Sequence, residues 1–385
     1  MAMSASEDSA APRTPAAWRE FALARSAALG FELAGVAAAE AWPELGRFAE
    51  WLAAGRSAGM SYLARPAPAA AGEPAGYARE DIRRVFPWAR SIVCCGQLYH
   101  TAQPRSIERT DPGRGWISRY AWGDDYHQAL QSRLERLAEA MRAAGGGSKD
   151  GCEEDQFRVY VDTGPLVERV YARRAGLGWQ AKNTCLIHPR LGSYFFLGAL
   201  ICSFEIAADS PLPDRCGSCR RCIEACPTQA LDPPYQMDAG RCLAYLNIEH
   251  RGPIPEPLRA AMGKQIFGCD ICQDVCPWNR KAPVTLRPEF QPRPGLVDPE
   301  LEGLAGMSEE DYRRRFRGSA MKRAKYTGWL RNLALAMGNS RLERFRPALE
   351  RLAGHADAVV REQAEWSLAR LAAGGEAEKG QGKVR

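Results

Sequence analysis

The chain has 385 residues, 45% apolar and 25% charged, which is the balance of a globular protein and excludes disordered and fibrous classes. At ~150 residues per domain, that length holds two or three domains. The net charge of +6 permits a nucleic-acid partner without demanding one.

No segment reaches the ~18 consecutive apolar residues that cross a bilayer. The first thirty residues carry Glu7, Asp8, Arg13, Arg19 and Glu20 where a signal peptide would have an apolar core. A cytoplasmic protein without a membrane partner is expected. Residues 1–15, rich in Ala, Ser and Pro, read as a disordered N-terminus.

Residues 16–210 alternate helical and strand patterns. Ser91–Tyr99 and Phe157–Val161 read as strands. Leu130, Leu134, Leu137 and Met141 fall on one helical face, and Gly145–Ser148 marks a loop. Gly164-Pro165 to Ala175, closed by Gly176, reads as a helix with proline at its start and glycine at its end. Tyr194–Ser203 is a further buried strand. The interleaving predicts a mixed α/β domain in an α+β or α/β multidomain protein.

Residues 211–283 form a cysteine-rich module of ferredoxin-like pattern. Residues 284–308, with Pro288, Pro292, Pro294 and Pro299, form a connector. Residues 309–374 are helical, and 375–385 read as a disordered tail. Arg331 and Ala334 recur as Arg361 and Ala364 thirty residues later, which suits HEAT-like helix pairs or a small helical cap.

Eight of the thirteen cysteines lie between Cys216 and Cys276. In a reducing compartment such clustering indicates metal or catalysis, not disulfides. Cys216, Cys219, Cys222 and Cys226-Pro227 follow the C-x2-C-x2-C-x3-C-P run that holds a [4Fe–4S] cube and lends its last cysteine to a second one. Cys269, Cys272 and Cys276-Pro277 repeat the run, but its first position is Ile266, so Cys242 is assigned as the replacement. Cluster one then takes Cys216, Cys219, Cys222 and Cys276; cluster two takes Cys226, Cys242, Cys269 and Cys272. Paired zinc sites would need neither the third cysteine nor the Cys-Pro endings. Cys94, Cys95, Cys152, Cys185 and Cys202 are expected to be bystanders, mostly buried as small apolar groups.

The cluster module needs a domain that holds whatever is reduced. Asp162 lies in the densest polar stretch before the module, Val161 to Asn183. An Asp just before a helix start ordinarily caps it as an anion, whereas a catalytic acid needs a pKa raised by desolvation. A second polar stretch runs through Ser118, Asp125 and His127.

Taken in order, Met60-Ser-Tyr-Leu63, Trp122-Gly-Asp-Asp-Tyr-His127, Val161-Asp-Thr-Gly-Pro-Leu-Val-Glu-Arg169, Ala181-Lys-Asn183, the first cysteine run and Gly268–Asn279 resemble the epoxyqueuosine reductase family. The resemblance covers residues 16–340. It implies two [4Fe–4S] clusters and cobalamin, an external low-potential electron donor, and reduction of epoxyqueuosine to queuosine at the wobble position of tRNA. Low-valent cobalt would drive opening of the epoxide. By position Asp162 would be the proton donor, with a pKa raised once the corrin covers it. Ser118, Asp125, Arg169, Lys182 and Asn183 would lie near corrin or substrate; Leu186, Leu197 and Leu200 would be apolar cofactor contacts. Asp270 would sit where cluster two approaches the corrin. The base-off signature D-x-H-x-x-G is absent after Asp125, so no histidine is expected below cobalt.

Tyr312–Arg331 contains Arg313, Arg314, Arg315, Arg317, Lys322, Arg323, Lys325 and Arg331 with no acid, interleaved with Tyr312, Phe316 and Tyr326. That composition suits a tRNA-phosphate surface. A small-molecule corrinoid reductase of the reductive dehalogenase kind would not require this stretch. A non-catalytic two-cluster electron carrier would not require the Asp162–Asn183 segment.

Overall fold

The computed structural model describes residues 12, 14–68, 76–145 and 156–381. Cys152, most of the Gly145–Ser148 loop and nearly all of the predicted N-terminal tail lie outside them. Among the described residues no helix is long and apolar enough to cross a membrane.

Helix α1 (Pro15–Ala28) begins where Thr14 accepts the Ala17 N–H and proline fills the first turn. Strand β1 (Leu33–Ala38), helix α2 (Pro43–Ala53), β2 (Ser91–Leu98), the short β3 (Trp116–Ile117), α3 (Tyr126–Ala143), β4 (Phe157–Tyr160), α4 (Glu168–Arg174), the hairpin β5 (Trp179–Gln180) and β6 (Leu186–Ile187), and β7 (Phe195–Cys202) follow. The main sheet runs β1-β2-β7-β4.

Every pairing in it is antiparallel. Alternating strands and helices in the sequence therefore do not build a parallel α/β sheet here. The domain is of α+β type, because β2 takes the distant β7 as its neighbour and not a strand delivered by a parallel crossover.

Both faces of the sheet are covered. Val93, Cys95, Leu200 and Cys202 pack with Leu130, Leu134, Leu137 and Met141 of α3. Ile92, Cys94, Ala199 and Ile201 meet Leu45, Val170 and Tyr171 on the other side. This two-residue alternation between two cores leaves all of β2 buried. Cys94, Cys95 and Cys202 are thus small core residues.

The helix expected from Gly164 begins only at Glu168. The Gly164 carbonyl is taken by Arg79 Nη2 at 2.9 Å, and Asp162 is the centre of a three-residue turn closed by Thr163 N–H to Val161 O at 2.7 Å. Its φ of +62° is left-handed. Asp162 is therefore not a helix cap. The C-terminal signal stands as read, with Gly176 at φ +74°.

The cysteine-rich module contains α5 (Arg221–Glu224), α6 (Leu243–Ile248), α7 (Glu256–Arg259), β8 (Gln265–Phe267), which pairs in parallel with β3, and α8 (Ile271–Asp274). The helical end comprises α9 (Leu301–Ala305), α10 (Glu309–Arg315), α11 (Lys325–Ser340), α12 (Arg346–Ala353) and α13 (Ala358–Gln381). The backbone of α13 continues well into the segment read as a tail.

Helix α11 is wedged between the module and α13. Asn332 Nδ2 donates to the Asn247 and Ile266 carbonyls, and Ser367 Oγ donates to Ala334 O. Arg331 is buried and donates to the carbonyls of Leu246, His250 and Gly252, whereas Arg361 bonds the carbonyls of His355 and Ala356 just before its own helix. The thirty-residue echo thus places two arginines in different roles.

Candidate active site

Two apolar nests receive the clustered cysteines. Cys216 and Cys276 pack with Trp179, Ile187 and Trp278. Cys242 and Cys269 pack with Leu243, Leu246 and Met262. Cys276 also feels the charges of Cys222 and Cys216, and Cys269 those of Cys242 and Cys226. The last cysteine of each motif thus lies against the other motif. Burial pushes the Cys276 thiol up to about 11 and Cys269 well above its ordinary value. Metal must replace those protons for the thiolates to form.

The β5–β6 hairpin joins the two nests. Lys182 Nζ donates to Gly217 O at 2.5 Å and Cys219 O at 3.0 Å. Next to it, buried Asn183 donates to Cys272 O and accepts the Cys185 N–H, both at 3.3 Å. Cys185 is therefore no remote bystander: the hairpin carries its thiol into hydrogen-bonding reach of Cys272. Arg169 Nη1 donates to Thr184 O at 2.7 Å, bracing the same turn.

Asp270 is buried within a clamp. It accepts from Trp116 Nε1 (2.9 Å), Ser118 Oγ (2.5 Å) and the Arg119 N–H (2.8 Å). Ser118 is itself buried with its hydroxyl committed. The clamp requires Gly268: its φ is +67°, and a Cβ there would meet Ser118 Cβ at 2.4 Å. Gly268→Ala is expected to lower stability by about 1–3 kcal/mol, measurable as a reduced midpoint in anaerobic chemical unfolding of the iron-loaded protein.

Asp274, not recognised from sequence, accepts from Ser106 N–H and Oγ and from Tyr194 Oη. Burial lifts its carboxyl to about 6. Its only signal was a second Asp inside the cysteine run.

Asp162 stands at the end of β4, with a side chain 64% exposed. Tyr126 Oη donates to its Oδ2 at 2.9 Å, and His127 Nε2 lies 3.5 Å from the same oxygen. His127 Nδ1 meets Asp125 Oδ1 at 2.7 Å. Asp125 is buried, caps α3 through the His127 N–H, and receives Lys322 Nζ on Oδ2 at 2.9 Å. His127 first, then Tyr126, hold the Asp162 carboxyl below its ordinary value. The upward shift expected beneath a corrin is thus not present in the protein alone.

Tyr160 lies opposite Ala199 and the Val161 side chain comes beside Gly198, so the Asp162 turn begins next to Leu197 on β7. Leu197 is partly exposed there, and Leu186 is buried in the core beneath. Leu200 points into the α1–α3 core with no exposed surface. It is core and offers nothing to a cofactor.

Arg313, Arg314, Arg315, Arg317, Lys322, Arg323 and Lys325 are all exposed. Tyr312 and Phe316 are buried with Trp329, so they are packing residues, not base-stacking ones. Several cations have acidic partners from outside the stretch: Arg313 pairs with Glu309, Arg314 with Asp311, Arg323 with Glu249 and Lys322 with Asp125. Arg323 also lies over the exposed Tyr62 ring, 5.8 Å from its centroid, and its charge acts on Asp162.

Fold and site define a two-cluster iron–sulfur oxidoreductase. Residues 215–279 match the model of the 4Fe-4S double cluster binding domain, and residues 79–163 match that of epoxyqueuosine reductase QueG, DUF1730. The chain is 38% identical over 359 residues to epoxyqueuosine reductase of Xanthomonas campestris, covering 92% of this chain and 96% of that one. It is 36% identical over 343 residues to the Escherichia coli enzyme, covering 89% and 86%. A crystal structure of epoxyqueuosine reductase with an epoxyqueuosine-modified tRNA-Tyr stem loop superimposes with a TM-score of 0.80 at 29% identity, covering 96% and 94%. The Streptococcus thermophilus structure gives 0.77 at 28%, covering 91% and 89%. The chain belongs to the epoxyqueuosine reductase family.

Proposed function

We propose that this chain reduces epoxyqueuosine at the tRNA wobble position to queuosine, with electrons from an external low-potential donor passing through both clusters to cobalamin. The observation that carries this reading is the contact between the basic stretch and the acid: Lys322 is bonded to Asp125, which is bonded to His127, which faces Asp162. A tRNA held along that stretch brings its anticodon to Asp162.

The face around Asp162 fits a corrin. It offers an open carboxylate, the exposed Tyr62 ring and the partly exposed Leu197 edge. Both nitrogens of His127 are engaged by carboxylates. Asp162, Leu197 and Arg169 would border the group; Ser118, Asp125 and Asp270 would brace the wall behind it. Cobalamin, when bound, supplies the low-valent metal that opens the epoxide. Asp162 protonates the departing oxygen, and Lys182 and Asn183 hold both cluster loops against the domain.

The helical end serves, in this reading, as a HEAT-like pair that fixes the basic stretch over the acid. Since Lys322 reaches the Asp162 network through Asp125, the tRNA surface is tested with Arg314, Arg317 and Lys325, exposed and outside that network, changed together to Glu. Affinity for tRNA should fall at least about tenfold near 0.1 M salt, and the log–log salt slope should shrink by roughly 2–3 units. The whole reading is tested by anaerobic reconstitution with iron, sulfide and cobalamin, followed by reduction of epoxyqueuosine-bearing tRNA; no queuosine from the fully loaded protein would overturn it.

A further inference from the structure

We propose that His127 stores a proton for Asp162, so that two protons pass in succession through one carboxylate. The inference rests on the reduction reading above. Turning an epoxide into an alkene breaks two C–O bonds, forms one C=C bond and releases the oxygen as water. It consumes two electrons, which the external donor provides through the clusters, and two protons. A single carboxyl carries at most one proton at a time, so it must be loaded twice.

The geometry names the group that loads it. His127 Nε2 lies 3.5 Å from Asp162 Oδ2, the oxygen that also receives Tyr126 Oη–H at 2.9 Å. On its far side, Nδ1 lies 2.7 Å from Asp125 Oδ1. Asp125 cannot move away, because Lys322 holds Oδ2 and its own N–H donates to Gly318 O at 2.9 Å. The Tyr126 ring stacks on the imidazole, centroids 4.1 Å apart. Asp125 thus favours the tautomer with hydrogen on Nδ1, and Nε2 is the nitrogen that gains and loses a proton.

The facing charges agree. Asp125 and Asp162 touch the two ring nitrogens. Lys322 and Arg323 approach those carboxylates from the segment before α11, Glu168 of α4 and Tyr120 lie near Asp162, and Tyr62 approaches from the segment after α2. Burial opposes charge on His127, but the bonds to Asp125 and Asp162 outweigh it and bring the imidazole up to about 9. The resting proton therefore sits on His127, with Asp162 an anion.

The sequence of transfers balances. Nε2–H protonates Oδ2, and Oδ2–H protonates the oxygen freed by ring opening. His127 then reloads from solvent through its 33% exposed edge, and a second pass by the same route completes water. His127 never touches the reacting atoms; it acts through Asp162.

The test is single turnover by reconstituted holoenzyme on epoxyqueuosine tRNA from about pH 6 to about pH 10, with 15N-histidine titration of the same protein. Wild-type rate should fall as pH rises through about 9, where the imidazolium is lost. His127→Gln should be about 100-fold slower and lack that alkaline limb, with iron, cobalamin and tRNA affinity retained. Asp125→Asn should move the limb, and the histidine resonance that His127→Gln removes, to lower pH. A His127→Gln enzyme with wild-type rate and limb, or a His127 resonance titrating near the ordinary ~6.5, would overturn the relay. If His127→Gln fails to load iron, the wild-type resonance decides alone. Loss of turnover in Asp162→Asn beside a fully active His127→Gln removes the relay and leaves the reduction reading standing; a loaded wild-type protein that makes no queuosine removes the reading itself.

Discussion

Asp162→Asn is expected to slow reduction of epoxyqueuosine tRNA by about 10²–10⁴-fold, the ordinary contribution of a positioned general acid, while iron, cobalamin and tRNA affinity stay at wild-type levels. Asparagine is the informative substitution for a structural reason. Asp162 holds φ +62° at the centre of a tight turn, and asparagine is among the few residues that accept the left-handed region readily. It also keeps an acceptor for the Tyr126 hydroxyl, so the turn and α3 stay in register. Asp162→Ala should lose the same activity and add backbone strain of about 1 kcal/mol. Single-turnover assays with anaerobically reconstituted protein decide the matter. Full activity in an Asp162→Asn enzyme carrying both clusters and cobalamin would remove the acid from the mechanism.

Cys242→Ala should lower bound iron from about eight to about four atoms per chain and abolish turnover, because an electron path through two cubes fails when either is missing. Cys276→Ala should have the same iron count yet empty the other site. Although Cys276 belongs to the second motif in sequence, it packs with Cys216, Trp179 and Trp278. Cys94→Ala, in the sheet core away from both nests, should leave the iron content unchanged. Iron analysis with electron paramagnetic resonance of the reduced protein distinguishes the variants. Iron near eight in Cys242→Ala would show that another group closes the second cube, and Cys185, already within reach of Cys272, would be the first to examine.

What was legible in advance was whatever local chemistry decides. The apolar runs Ile92–Cys95 of β2 and Phe195–Cys202 of β7 read as strands because nothing polar interrupts them, and the spacing Leu130–Leu134–Leu137–Met141 places all four on the buried face of α3. The cysteine spacings carry their meaning in the loop itself. Contacts made at long range were not legible. The basic stretch is opposed locally by Glu309 and Asp311 just before it, but Asp125 and Glu249, which face Lys322 and Arg323, belong to distant segments and were not legible. The start of α4 was misplaced because Arg79 holds the Gly164 carbonyl outside the helix. Cys185 looked idle because only the β5–β6 hairpin brings it to Cys272. Antiparallel pairing of β2 with β7 was invisible for the same reason: strand direction is set by which partner arrives, not by the strand's own residues.

The crossed arrangement of the two cysteine nests has a consequence for how the module folds. Cys216 and Cys276 share one nest while Cys226 lies against Cys242 and Cys269 in the other. An inorganic cube seated in the first nest ties together two points of the chain roughly sixty residues apart, as a disulfide would, and by loop-closure entropy alone such a tie disfavours the unfolded chain by about 4 kcal/mol. The second cube closes a loop nested inside the first. Seating either one therefore shortens the search that the remaining thiols must make, so the two inorganic cofactors should load cooperatively, and oxidative loss of one should loosen the grip on its neighbour.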